Sequence, residues 1–146
     1  MKKTILGVLL AASIILLGYC HESIGAEEKE AVLRQVKKGN FVLYVSNQSF
    51  DIDFVDIKVY IDGLVAVNQE FTVGQQKNWI PFQFQLSEGT HKLKIQSVKG
   101  DSKLEQKFKI TGNNWAKIKF LYASEGADPV SKQFTFAIKD KEIQLK

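Results

Sequence analysis

The chain has 146 residues, of which 45% are hydrophobic, and this is enough to bury the core of one ordinary domain. Its 20 basic and 16 acidic residues are interspersed, and Arg34 is its single arginine, so it lacks the clustered basic face of a nucleic-acid-binding protein. With one cysteine in the sequence, a disulfide framework and a thiolate metal site are also excluded.

The first 20 residues have the pattern of an export signal. Lys2 and Lys3 precede an apolar run over Thr4–Leu17, and Cys20 follows that run closely. About 20 apolar residues are needed to cross a bilayer as a helix, so this shorter run predicts a cleaved signal peptide over residues 1–19. The end of the run resembles a bacterial lipoprotein signal, which implies that Cys20 becomes the lipidated first residue of the mature protein.

Two alternatives to a lipid anchor stay open. Tyr19 stands where the lipoprotein pattern has Gly, Ala or Ser, and Ile24–Ala26 also allows ordinary signal peptidase cleavage after Ala26. Cleavage there predicts a secreted protein, whereas an uncleaved run predicts an N-terminal anchor. The expected location is therefore exported, with the membrane as a partner through lipid on Cys20 and secretion as the alternative.

Residues 20–40 are predicted to be a polar tether between the signal and the folded domain. Within this tether, Ala31–Lys38 places three apolar residues on one side of a helix. The alternative to a plain spacer is therefore a two-turn helix over these residues that packs on the sheet.

From Phe41 onward, apolar and polar residues alternate with a period of two, and turn residues separate the short segments. Eight or nine such segments predict an all-β fold, a single antiparallel β-sandwich of the Ig-like or transthyretin-like kind over residues 41–146. The predicted strands comprise Phe41–Val45, Val55–Ile61, Val65–Val73, Phe82–Leu86, His91–Ile95, Leu104–Ile110, Ala116–Tyr122 and Phe134–Ile138, with a ninth at Ile143–Leu145.

Two of these segments resemble PEGA-type domains. Ile57–Gly63 is similar to the opening strand and turn of such domains, and Leu86–Ile95 resembles their namesake turn and the strand after it. Lys99-Gly100 is similar to the next turn. Related patterns occur in transthyretin-like and carboxypeptidase regulatory-like sandwiches. The resemblance implies a surface-associated, non-catalytic β-sandwich with no shared catalytic residues.

Three aromatic residues are out of phase with the buried positions of their strands and are the candidate ligand-binding residues. Trp79 adjoins a glutamine-rich loop, Trp115 comes directly before a buried alternation, and Tyr60 lies on the polar side of its strand. Aromatic rings beside amide side chains commonly form platforms for sugars or peptides. Two alternatives are that the tryptophans cap the ends of the sandwich, or that they form a protein interface.

No set of residues predicts catalysis, a metal site or a cofactor. His91 follows a turn and falls on the same side of its strand as the apolar Leu93 and Ile95. We therefore expect a core or rim histidine that is hydrogen-bonded near that turn. No nucleophile and acid accompany it, and one histidine is too few for zinc. Asp51, Asp53 and Asp56 alternate as calcium ligands can, but loop solvation explains them because the glycine and distal glutamate of a calcium loop are missing.

Together these patterns predict an exported, lipid-anchored, non-catalytic binding or interaction module at a bacterial cell envelope. A carbohydrate or an envelope protein is the expected ligand, and nucleic acid is not an expected partner. One alternative is an envelope structural or assembly protein whose partner adds along an exposed sheet edge. A small secreted hydrolase that uses surface carboxylates is the third hypothesis.

Overall fold

The computed structural model describes residues 30–74 and 78–145. This part of the chain contains eight β-strands. The predicted signal peptide and the predicted lipidation site at Cys20 lie outside these residues. Residues 143–145, predicted as a ninth strand, form no strand, although Ile143 is buried. The strands are β1 (Phe41–Asn47), β2 (Phe54–Ile61), β3 (Leu64–Thr72), β4 (Ile80–Phe84), β5 (Gly89–Ser97), β6 (Ser102–Ile110), β7 (Asn114–Ala123) and β8 (Val130–Lys139).

The strands form two four-stranded sheets around a common core, so the predicted β-sandwich is confirmed. The β1 sheet has the strand order β4-β1-β7-β8, and the β2 sheet has the order β3-β2-β5-β6. All pairs are antiparallel except β1 with β7, which are parallel. This one pair departs from the predicted antiparallel arrangement because β1 and β7 are far apart in the chain, so no hairpin forces them into opposite directions.

The period of two places one side of each strand in the core. On β5, for example, His91, Leu93 and Ile95 are buried, whereas Lys92 and Lys94 are exposed. A shift of one residue would bury both lysines, so the pattern fixes the register of the strand. The largest fully buried side chains are Phe41, Phe71, Phe84, Phe120, Leu43, Ile57, Ile61, Ile95, Ile110, Ile118, Val45 and Val55.

The turn at Asp62-Gly63 joins β2 to β3 as a two-residue hairpin loop. Both residues have positive φ angles, of 51° and 82°, which is the geometry of a type I′ turn. Glycine adopts this conformation without steric cost, and aspartate tolerates it better than most residues. The local sequence is therefore sufficient to place this turn.

An extended segment, residues 30–40, passes from the edge of one sheet to the edge of the other. The Leu33 N–H donates to the Val65 carbonyl of β3 at 2.8 Å, and the Val65 N–H donates to the Ala31 carbonyl at 2.9 Å. The Val36 N–H then donates to the Gln83 carbonyl of β4 at 3.0 Å. Because β3 and β4 are edge strands, the segment covers part of one edge of each sheet.

The alternative of a two-turn helix over residues 31–38 is therefore wrong. A helix this short is marginal in water because its first turn fixes several residues for one hydrogen bond. The sheet edges instead offer ready partners for its backbone groups, and Leu33 packs against the core. Side-chain spacing alone could not reveal this competition.

Asparagine side chains hold both ends of β1. At its start, Asn40 donates through Nδ2 to the Leu86 carbonyl at 2.8 Å and accepts the Leu86 N–H through Oδ1 at 2.9 Å. At its end, the buried Asn47 donates through Nδ2 to the carbonyls of Ile52 at 3.1 Å and Phe71 at 3.2 Å. Phe71 belongs to β3, so Asn47 links the two sheets.

We expect Asn47→Ala to lower the free energy of unfolding by about 2 kcal/mol, because it removes a donor to the buried Phe71 carbonyl, one of the two donors to the Ile52 carbonyl and the acceptor of the Ser49 N–H. Urea denaturation measures this loss. Asn68→Ala, at an exposed position of β3, is the matched control and should change stability by less than about 0.5 kcal/mol. Equal losses in the two variants would contradict a linking role for Asn47.

Candidate functional site

Two of the three candidate residues share one outer face of the sandwich. Trp115 lies on β7. Trp79 lies directly before β4, an even number of residues from the outward-facing Gln83, so it points to the same side of that strand. Both tryptophans therefore face away from the core on the β1 sheet. Both side chains are half-buried, and neither is among the described residues that form the hydrophobic core. Tyr60 lies on the outer face of the β2 sheet. The structure therefore separates Tyr60 from the two tryptophans.

A third aromatic ring, Tyr44, lies between the tryptophans. It is on β1 opposite Pro81 of β4, and Trp79 comes two residues before Pro81. Trp115 of β7 is opposite Val42, which is two residues from Tyr44 on the same outer side of β1. These three aromatic residues, here called the aromatic row, follow one diagonal across three adjacent strands: Trp79, Tyr44 and Trp115.

The dimensions of a β-sheet set the spacing of the aromatic row. Neighbouring strands lie about 4.8 Å apart and each residue advances about 3.4 Å, so successive members have Cα atoms about 8 Å apart. The whole row therefore spans about 16 Å of sheet surface. Such a line suits an extended chain better than a compact small molecule.

Tyr44 was not among the residues that the sequence singled out. It belongs to an uninterrupted apolar run, Phe41–Val45, in which no polar residue marks the outward positions. The signal that could have identified it is its position in the alternation. Tyr44 lies between Leu43 and Val45, which are buried, so it points to the outer side of the strand.

A cleft of about 420 Å³ adjoins Trp115, at the end of the row where the segment 30–40 enters β1. Amide side chains line it beside the indole ring, which is the combination that orients sugar hydroxyl groups in protein sites. The amides of Asn40 and Asn114 already bond to the backbone, whereas Asn113 is exposed. The lining residues are Lys37, Lys38, Gly39, Asn40, Val42, Gln83, Asn113, Asn114, Trp115 and Glu142.

Two polar atoms on this side of the sandwich are buried without a hydrogen-bond partner among the described residues. They are Nε1 of Trp79 and Oε1 of Gln83. An unpaired buried donor or acceptor costs free energy. Because neither atom is accessible to solvent, a ligand hydroxyl could pair with them only after the neighbouring side chains moved.

Tyr60 is engaged with the segment 30–40 instead. Its hydroxyl donates to Oε1 of Glu30 at 3.0 Å, and Lys58 also bonds to the Glu30 carboxylate. The hydrogen bonds from Lys58 and Tyr60 lower the pKa of Glu30. Lys58 and Lys94 lie 5.3 and 5.2 Å from the centroid of the tyrosine ring. Through these contacts, Tyr60 helps to hold the segment 30–40 against the β2 sheet.

His91 confirms the expectation of a histidine held near its turn. It is only 6% exposed, its Nδ1 lies 2.6 Å from Oδ2 of Asp62, and its Nε2 lies 2.8 Å from the Ser87 carbonyl oxygen. Both partners accept hydrogen bonds, and a neutral imidazole has only one N–H, so the geometry favours the doubly protonated ring. His91 therefore ties the β2–β3 turn to the start of β5.

The pKa values of this pair follow from the same contacts. Burial lowers the pKa of His91, but the bonds to Asp62 and Ser87 and the charge of Asp62 outweigh it, so the pKa is raised. Burial likewise raises the pKa of Asp62, but the Lys92 N–H and the His91 ring outweigh it, so that pKa is lowered. Both shifts favour the charged pair.

Two of the three aspartates considered for calcium organise loops. The Ser124 N–H donates to the Asp51 carboxylate and lowers its pKa. Asp56 accepts bonds from the Ser97 hydroxyl and from two backbone N–H groups of the next turn. Within residues 30–74 and 78–145, no three His, Cys, Asp or Glu side chains form a group that could hold a metal ion. That part of the chain also has no helix with the length and apolar character to cross a membrane.

No family model, curated protein or solved structure matches the chain. Its fold and surfaces therefore define its class: a two-sheet β-sandwich with an aromatic row on one outer face.

The stability of the domain should depend on pH through His91. Its pKa is raised on folding, so its contribution is complete below about pH 6.5, the unfolded value, and is lost as the pH rises through the folded pKa. Asp62 has a lowered pKa, so its contribution is complete above about pH 4 and is lost as the pH falls through the folded value.

Urea denaturation of the wild type and of His91→Gln at several pH values tests this expectation. The difference in unfolding free energy between them should be largest in the window between the two unfolded pKa values and should shrink in alkaline buffer. A difference that stays constant from acid to alkaline pH would show that His91 is neutral in the folded protein.

Proposed function

We propose that this protein is an exported, non-catalytic binding module of the bacterial cell envelope that holds a carbohydrate chain on the outer face of its β1 sheet. The observation that carries the proposal is the aromatic row of Trp79, Tyr44 and Trp115. Half-buried rings on adjacent strands form a platform against which sugar rings can stack. The amide-lined cleft beside Trp115 supplies polar partners at one end of that platform.

The pairing of a partner strand along a sheet edge is less well supported. The edge strands β3 and β4 are partly covered by the segment 30–40, which leaves β6 and β8 at the other side. β6 carries Lys103, Lys107 and Lys109, and β8 carries Lys132 and Lys139. Lysines on an edge strand oppose the addition of another strand. The outer face therefore is the better candidate for recognition.

Trp115→Ala should weaken carbohydrate binding at least tenfold, which corresponds to about 1.4 kcal/mol. The probe is affinity gel electrophoresis with a panel of soluble neutral and acidic polysaccharides. The melting temperature should change by only a few degrees, because Trp115 lies outside the core.

Tyr60→Ala is the matched aromatic control, since it removes a half-buried ring from the other sheet. It should leave binding unchanged. A loss of binding in Tyr60→Ala but not in Trp115→Ala would move the recognition surface to the β2 sheet, and no retention by any polysaccharide would contradict the proposal.

Attachment to the membrane through Cys20 is part of the same proposal. Lys2-Lys3, the apolar run after them and the single cysteine support it. Intact-mass measurement of the mature protein should find a membrane species that starts at Cys20 and carries acyl chains. A soluble species that starts at Glu27 would establish secretion instead.

A further inference from the structure

The two sheets differ in whether carboxylates accompany their lysines. Taken together, the strands of the β1 sheet contain lysines, all of them on β7 and β8, and no Asp or Glu. The strands of the β2 sheet combine their lysines with Asp56, Glu70 and Glu105. A sheet without carboxylates carries an uncompensated positive charge. The four lysines of the β1 sheet are Lys117, Lys119, Lys132 and Lys139.

The ion pairs of the described residues show the same asymmetry. Lys58 pairs with Glu30, His91 with Asp62, Lys99 with Glu70 and Lys103 with Glu105, and all four pairs lie on the β2 sheet, its turns or the segment 30–40. The lysines of the β1 sheet have no acidic partner within residues 30–74 and 78–145. Their ammonium groups are thus available to an external anion.

Three of these lysines lie beside the aromatic row, and one of them, Lys139 of β8, is opposite Trp115. On β7, Lys117 is opposite Tyr44, and Lys119 is opposite Ser46. Both point to the same outer side of β7 as Trp115 and are half-buried. Their aliphatic stems therefore lie on the sheet while their charged ends reach water. The cleft at the end of the row adds Lys37 and Lys38, against the single carboxylate of Glu142.

We infer that the chain held on this face is an acidic polysaccharide, whose sugar rings carry carboxylate or phosphate groups. This inference rests on the proposed function. Sugar rings stack on the aromatic row, and the acidic groups at their edges pair with Lys117 and Lys119. Lysine is a compact point charge that pairs with either type of anion, so the two chemistries share the same protein groups. A repeating polyanion can contact both lysines at once and gains from their multivalency.

The test compares each acidic polymer with its own neutral form by tryptophan fluorescence titration. Polygalacturonate is paired with its methyl ester, and phosphomannan is paired with dephosphorylated mannan. At least one acidic polymer should bind at least tenfold more tightly than its neutral counterpart, and added salt should reduce that advantage. Equal affinity for the two forms in both pairs would overturn the inference, yet would leave the proposed function intact if Trp115→Ala still abolished binding.

The variant pair Lys117→Gln/Lys119→Gln should lose most of the preference for the acidic form and bind the neutral form as before. Lys92→Gln/Lys94→Gln is its matched control, because it removes two lysines with the same spacing from the outer face of the β2 sheet. Equal losses in both double variants would overturn the inference by showing that only net charge matters. So would polyglutamate, a polyanion without sugar rings, if it bound as tightly as the acidic polysaccharide.

Discussion

The burial of alternate residues along β1 is the constraint on which the rest of the structure depends. Phe41, Leu43 and Val45 are fully buried between the sheets, and β1 pairs with β4 on one side and β7 on the other. Because the side-chain period is two, this burial forces Tyr44 outward. The pairing then brings the tryptophans of β7 and the β4 end to the same surface. The aromatic row is thus a by-product of how the core is filled.

The two outer faces illustrate how one core can support surfaces of different chemistry. On the β2 sheet, Lys58 and Lys103 form ion pairs with carboxylates, and such exposed pairs contribute little stability individually. They compensate part of the positive charge of this sheet, whereas Lys92 and Lys94 have no ion pair within residues 30–74 and 78–145. The β1 sheet has aromatic rings and unpaired lysines instead, so the field at its surface is positive and one-sided. This difference is what separates a solvated face from a candidate recognition face.

The sequence was sufficient for the eight strands that form, because alternation at positions such as Leu93 and Ile95 specifies both the strand and its buried side. The predicted ninth strand at residues 143–145, a segment too short to show a clear alternation, was wrong. It was also sufficient for the tight turn at Asp62-Gly63. It could not assign strands to sheets, since pairing between distant segments leaves no local signal. For that reason the sequence grouped Tyr60 with the tryptophans. The extended course of residues 31–38 also depends on partners, the edges of β3 and β4, that are distant in the chain.

The path of the segment 30–40 makes the two outer faces of the sandwich unequal, because its first residue lies on one of them only. Glu30 lies against the outer side of the β2 sheet through its bonds to Lys58 and Tyr60, and the chain then crosses the edges of β3 and β4 to reach β1. Glu30, the first residue that the structure describes, therefore lies on the side opposite to the aromatic row. Under the proposed attachment through Cys20, the described chain begins on one side of the sandwich and the face proposed to bind carbohydrate is on the other.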